Sequence, residues 1–169
     1  MNIDSIKKIL IKIFSVIYIL VILFLLFIFP IPWLVGVPIH NYYLYKLEKR
    51  FNTIQHPPKS ELIEKVSEVG LFGNSNHCDY AIGEFRRSSL SKKEIEEFYK
   101  DRSIESLVQG PISLEVYFID DINLDYFING PFLEKLNHWI TTTKSLNSND
   151  YLILFVDPMN PPTGDYRCH

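Results

Sequence analysis

The chain has 169 residues, 47% hydrophobic and 14% aromatic, with 17 basic and 20 acidic side chains and a formal net charge of −3. That length allows one ordinary domain or a small domain with an appendage, and the 22% charged fraction is that of a folded protein. Two cysteines exclude a disulfide-dense scaffold and a four-cysteine zinc ribbon, and the acidic balance argues against a nucleic-acid partner. Ala81 is the only alanine, while Ile, Leu, Asn, Lys, Phe and Tyr are abundant. Single Asn, Lys and Tyr residues therefore carry little functional information on their own.

Residues 1–12 read as a short N-terminal tail. From Ile13 to Ile39 no charged residue occurs, a run long enough for a helix to cross a hydrocarbon core roughly 30 Å thick. It is apolar on every face, unlike a helix buried in a small soluble domain. Pro30 and Pro32 fall late enough to bend or end the helix, and Trp33, Tyr42, Tyr43 and Tyr45 stand where an interfacial aromatic belt belongs. The run exceeds a signal-peptide core, and no small-x-small cleavage site follows it, so the expectation is a retained single-pass anchor contacting the lipid bilayer. Lys7, Lys8 and Lys12 precede it and Lys46, Lys49 and Arg50 follow. The lysines nearer the apolar core favour a cytoplasmic N-terminus and an extracytoplasmic C-terminal domain.

Residues 40–59 read as a juxtamembrane segment and linker, with a short interfacial helix over 41–52 broken by His56-Pro57-Pro58. Beyond it, 60–169 is long enough for one compact core. Ser60–Val69 fits either a short helix or the approach to a strand, and Gly73–Asn76 is turn-forming. Cys78, Tyr80 and Ile82 alternate with His77, Asp79 and Ala81 as in a half-buried strand reaching Arg86 or Arg87. Ser91-Lys92-Lys93-Glu94 is a capping box opening a helix whose apolar face is Ile95, Phe98 and Tyr99. Ile104–Gln109 and Ile112–Ile119 read as strands. Gly130-Pro131 opens a second helix with Leu133, Leu136, Trp139 and Ile140 on its apolar face, and the Asp150–Asp157 run is a buried strand. The fold class is α+β: an N-terminal transmembrane helix, then two main helices packed on one sheet of three to five strands.

Three chemistries compete for the cysteines. His77-Cys78 and Cys168-His169 could supply a Cys2His2 metal site, but adjacent ligands match zinc spacing poorly. The thiols could be unrelated, or Cys78 and Cys168 could form a disulfide suited to an oxidising compartment; the disulfide is the leading expectation and no metal or cofactor is expected. A thiol enzyme using Cys78 with His77 or His138 as base is an alternative without a supporting motif. Glu84, Arg86 and Arg87 form a charged cluster that would suit an anion or a partner, as in a ligand sensor, or simple salt bridging. Asp120, Asp121 and Asp125 lack the glycine and terminal glutamate of an EF-hand loop and read as a turn. Asp157–Asp165 reads as a surface loop whose aspartates, with Tyr166, would line a binding rim. Only three of the basic and one of the acidic side chains precede residue 41, so the remainder is more acidic than the whole and should stand off an anionic membrane on its linker. The functional expectation is a membrane-anchored, non-catalytic domain that binds a protein partner.

Overall fold

The computed structural model describes residues 3–28, 31–72, 76–121, 131–143 and 146–168. The apolar run is divided between two helices, α1 (Ile3–Ile28) and α2 (Ile31–Phe51), where a single helix over 13–39 is expected. Every described side chain of α1 from Leu10 to Leu26 is exposed. Among the described residues no helix is long and apolar enough to cross a membrane.

Four antiparallel strands form the main sheet in the order β1-β2-β6-β5: β1 (Ser60–Gly70), β2 (Cys78–Ser88), β5 (Glu115–Phe118) and β6 (Asp150–Asn160). A separate two-stranded hairpin pairs β3 (Ser103–Glu105) with β4 (Pro111–Ser113). The predicted strand over Ile112–Ile119 is thus split between two sheets. Leu114 makes the break: its amide donates to the Arg102 carbonyl at 3.1 Å and its side chain enters the core, so pairing passes from β3 to β6.

The capping box holds. Ser91 Oγ accepts from the Glu94 amide and the Glu94 carboxylate accepts from the Ser91 amide at 2.8 Å, opening α3 (Lys92–Tyr99). Proline stands first in α4 (Pro131–Thr142), where its missing N–H costs no helical hydrogen bond.

The expected half-buried β2 is covered on both faces. On one, Tyr80 and Ile82 of β2 and Tyr151, Ile153 and Phe155 of β6 pack with Ile95 and Tyr99 of α3 and with Leu47 and Phe51 of α2. On the other, Ala81, Phe85, Leu152 and Leu154 meet Leu136 and Trp139 of α4. Within segment 40–59, the helical part packs into this core. Leu47 and Phe51 are 0% and 1% exposed, so the compact unit includes the second half of α2. Phe51→Ala should destabilise the fold by about 3–5 kcal/mol, the usual loss for a buried aromatic, whereas exposed Asn52→Ala should change it little. Thermal unfolding of the two variants in detergent solution measures the difference.

Candidate functional site

The junction of α2, β2 and the C-terminal segment gathers the densest polar chemistry. Gly36 lets the helix approach: a Cβ there would lie 2.7 Å from the Asp165 nitrogen and 2.8 Å from the Thr163 oxygen, so only hydrogen fits. One helical turn on, buried His40 meets the same loop. Its Nε2 lies 3.0 Å from the Pro162 carbonyl and 2.7 Å from Thr163 Oγ1, while Nδ1 faces the Tyr80 hydroxyl. A carbonyl only accepts, so Nε2 carries the proton and Nδ1 accepts from the Tyr80 O–H. Both ring nitrogens are thereby committed. Burial lowers the His40 pKa and raises that of Tyr80, which keeps both groups neutral at pH 7.

Cys78 and Cys168 form a disulfide beside this pair, with Cα atoms 4.8 Å apart and a sequence separation of 90. The structure brings together the two cysteines singled out in the sequence. Cys78 Sγ is 3.5 Å from His40 Nε2, and the ligand atoms of His40, Cys78 and Cys168 all lie within 4.8 Å of one another. The S–S bond occupies both sulfurs, so this trio is not a thiolate ligand set and Cys78 is no nucleophile while the bond stands. His77 turns elsewhere, with Nε2 2.9 Å from Asp79 Oδ1, and His138 is exposed on α4. His169 and Asp125 lie outside the described residues.

The aspartates of the C-terminal segment are internal rather than displayed on a rim. Asp157 and Asp165 are both 0% exposed, and only Tyr166 of the expected rim is open. Asp157 accepts from Ser106 Oγ at 2.7 Å and the Leu107 amide at 2.8 Å, tying the β3–β4 hairpin to the end of β6. Asp165 accepts from the Arg167 amide at 3.0 Å and from its guanidinium. Burial opposes the charged form of Asp165, but the Arg167 hydrogen bonds outweigh it and hold its pKa below the ordinary carboxylate value. Met159 and Thr163 take left-handed backbone angles, φ 67° and 41°, conformations that persist only where surrounding bonds impose them. Asp79 supplies one such bond by accepting from the Met159 amide at 3.0 Å. A cavity of about 300 Å³ opens beside the junction, lined by His40, Tyr43, Lys46, Tyr80, Asn160 and Thr163 among others.

The second charged cluster divides between the two faces of the sheet, because neighbouring strand residues point oppositely. Arg86 pairs with buried Glu84 and donates to Ser60 Oγ at 2.7 Å; Arg87 forks onto Asp150 at 2.8 and 2.7 Å. Both guanidinium groups are neutralised within the chain and do not face one common anion. Glu84 also accepts from Lys65 at 2.9 Å and lies 3.3 Å from His56, whose Nδ1 is 2.8 Å from the Tyr99 hydroxyl. Lys92 bridges Asp120 and Asp121 at the expected turn. Among the described residues no buried side-chain nitrogen or oxygen lacks a hydrogen-bond partner. His40 and the internal aspartates are what the sequence does not announce; Gly36 four residues before His40 is the faint signal of a close approach there.

No protein-family model matches the chain, and comparisons with curated proteins and with solved structures give no match.

Two predictions follow from this chemistry. Cys168→Ser should destabilise the fold by about 2–4 kcal/mol, and Cys78→Ser/Cys168→Ser by the same amount, because either removes one bond. Equal thermal midpoints for the two variants, both below wild type, would establish this. Burial chiefly lowers the His56 pKa from its ordinary 6.5, so the unfolded chain binds more protons just below that pH. Stability should then fall as pH drops from 7.5 to 5.5. His56→Gln should flatten part of that fall, leaving the His40 share, as thermal midpoints across the range can show.

Proposed function

We propose that the chain is a single-pass membrane-anchored protein whose compact α+β domain serves as a non-catalytic partner-binding module on the extracytoplasmic side. The observation that carries the anchor is the exposure of fifteen large hydrophobic side chains between Leu10 and Leu26. Burying each is favoured by about 1.5–3 kcal/mol, so leaving them in water forfeits tens of kcal/mol, which a lipid environment restores. The described stretch is short of a full span, but the sequence continues it through Phe27, Ile28 and Phe29 without a charge. A disulfide between Cys78 and Cys168 suits an oxidising compartment, which supports placing the domain outside.

The non-catalytic reading is supported by the absence of spare chemistry at the junction. Both thiols are bonded, both His40 nitrogens are engaged, and Asp157 and Asp165 hold backbone and side-chain donors of their own chain. His40 Nδ1 accepts from the Tyr80 hydroxyl, so this base–hydroxyl pair is the one place at the junction where a proton could move, and the Tyr80 variant below tests it.

In membrane preparations washed with alkaline carbonate, the full chain should stay in the pellet and a form lacking residues 1–28 should be soluble. Release of the full chain by the wash would refute the anchor. Tyr80→Phe should leave cellular function intact at a stability cost of about 1–3 kcal/mol from the unpartnered imidazole. Loss of function with a fully folded domain would instead make the hydroxyl catalytic.

A further inference from the structure

Helix α2 carries two opposed faces that its composition conceals. Gly36, His40, Leu47 and Phe51 are buried, and Tyr43 and Leu44 pack beside them, which defines an inner face against the domain. Leu34, Val35, Pro38, Tyr42, Tyr45 and Lys49 are all exposed. At 3.6 residues per turn these six fall within an arc of about 100°, directly opposite the inner face. Leu34 is 69% exposed and Tyr42 58%, so this is an open apolar and aromatic surface. Lys49 lies on it and half-buried Lys46 stands at its edge toward the cavity: Lys46 Nζ is 5.7 Å from the Tyr42 ring centre, and Lys49 Nζ 4.6 Å from that of Tyr45.

We propose that the outer face of α2 lies in the membrane interface, leucine, valine and tyrosine rings at the acyl boundary and Lys46 and Lys49 reaching anionic headgroups, so that the domain is seated on the bilayer. The inference rests on the anchoring role of α1, with which this surface is continuous in the chain. Three observations favour lipid as the occupant. In sequence the surface comes soon after the exposed apolar run of α1, with no charged residue between them. Tyrosine and lysine at one helix face form the pairing that suits headgroup depth, with an amphipathic ring and a cation on a flexible stem. The face is locally basic although the domain is acidic: no acidic residue occurs between Ile31 and Leu47, and Glu48 accepts from Ser67 on the domain side. Where the facing leaflet carries anionic lipid, lysines beside a membrane anchor are drawn to it, so the acidic domain has no need to stand off. An ordinary interfacial helix turns its second face to water; here that face is occupied by the domain.

The test uses the full-length, disulfide-bonded protein in vesicles of phosphatidylcholine and phosphatidylglycerol. Single spin labels are placed by Val21→Cys on α1, Tyr45→Cys on the outer face of α2 and Glu134→Cys on α4, across the sheet. Relaxation by oxygen, which concentrates in lipid, is compared with relaxation by a water-soluble nickel chelate. We expect a lipid signature at Val21, a water signature at Glu134, and an oxygen-to-nickel ratio at Tyr45 several-fold above that at Glu134. Lys46→Glu/Lys49→Glu should lower the Tyr45 ratio in phosphatidylglycerol vesicles. A Tyr45 ratio equal to that of Glu134, with Val21 in lipid, overturns this proposal and leaves the anchor standing. Shielding of Tyr45 from both agents overturns it too, since a protein surface or second copy would then cover the face. A water signature at Val21 overturns the anchor reading, and this proposal with it.

Discussion

The architecture depends on the close approach of α2 to the C-terminal segment at Gly36. With a hydrogen in place of a side chain, the loop at 163–165 lies on the helix backbone, and His40 and Arg167 then reach across the contact. The Cys78–Cys168 bond fixes the other end of that segment to β2. Helix, strand and terminal segment thus hold one another, and the inner face of α2 completes the core begun by β2 and β6. A side chain at residue 36 would clash with the backbone at 163–165, so helix and loop would have to move apart.

Polar groups inside the domain act as fasteners. Asp79, Asp157 and Asp165 accept from the backbone amides of residues 72, 107, 159 and 167 and so pin them. Buried carboxylates left without donors would cost several kcal/mol each, so the network is stable only as a whole. Glu84 occupies the same position on the sheet face beneath α3. Burial raises its pKa, but hydrogen bonds from Lys65 and Arg86 prevail and keep it ionised. These carboxylates are therefore held by donors of their own chain.

Local signals in the sequence were legible where one residue type has one physical use. Ser91 with Glu94, the proline opening α4, the hydrophobic run of β6 and the paired cysteines are of that kind. The inner face of α2 was hidden because its outer face is also apolar and aromatic, so no polar stripe marks the side that packs. The split at Leu114 was hidden because both halves are equally strand-like and the break is set by the Arg102 carbonyl, a partner twelve residues away. Arg86 and Arg87 read as one cluster, yet strand alternation sends them to different carboxylates. Asp157 and Asp165 sit among prolines and a glycine, the composition of a solvated loop; Asp165 is held by Arg167 close by in sequence, but Asp157 is held by Ser106 and Leu107, far from it in the chain. Long-range partners of this sort leave no mark in a single sequence.

The central claim is that α2 belongs to the folded core. Amide hydrogen exchange of the full-length, disulfide-bonded protein tests it most directly. Residues 44–51 of α2 should exchange as slowly as the central strand β6, through the same global opening, because both are buried in one core. Rapid exchange over 44–51 beside a protected β6 would show a helix only resting on the domain, and the account would fail.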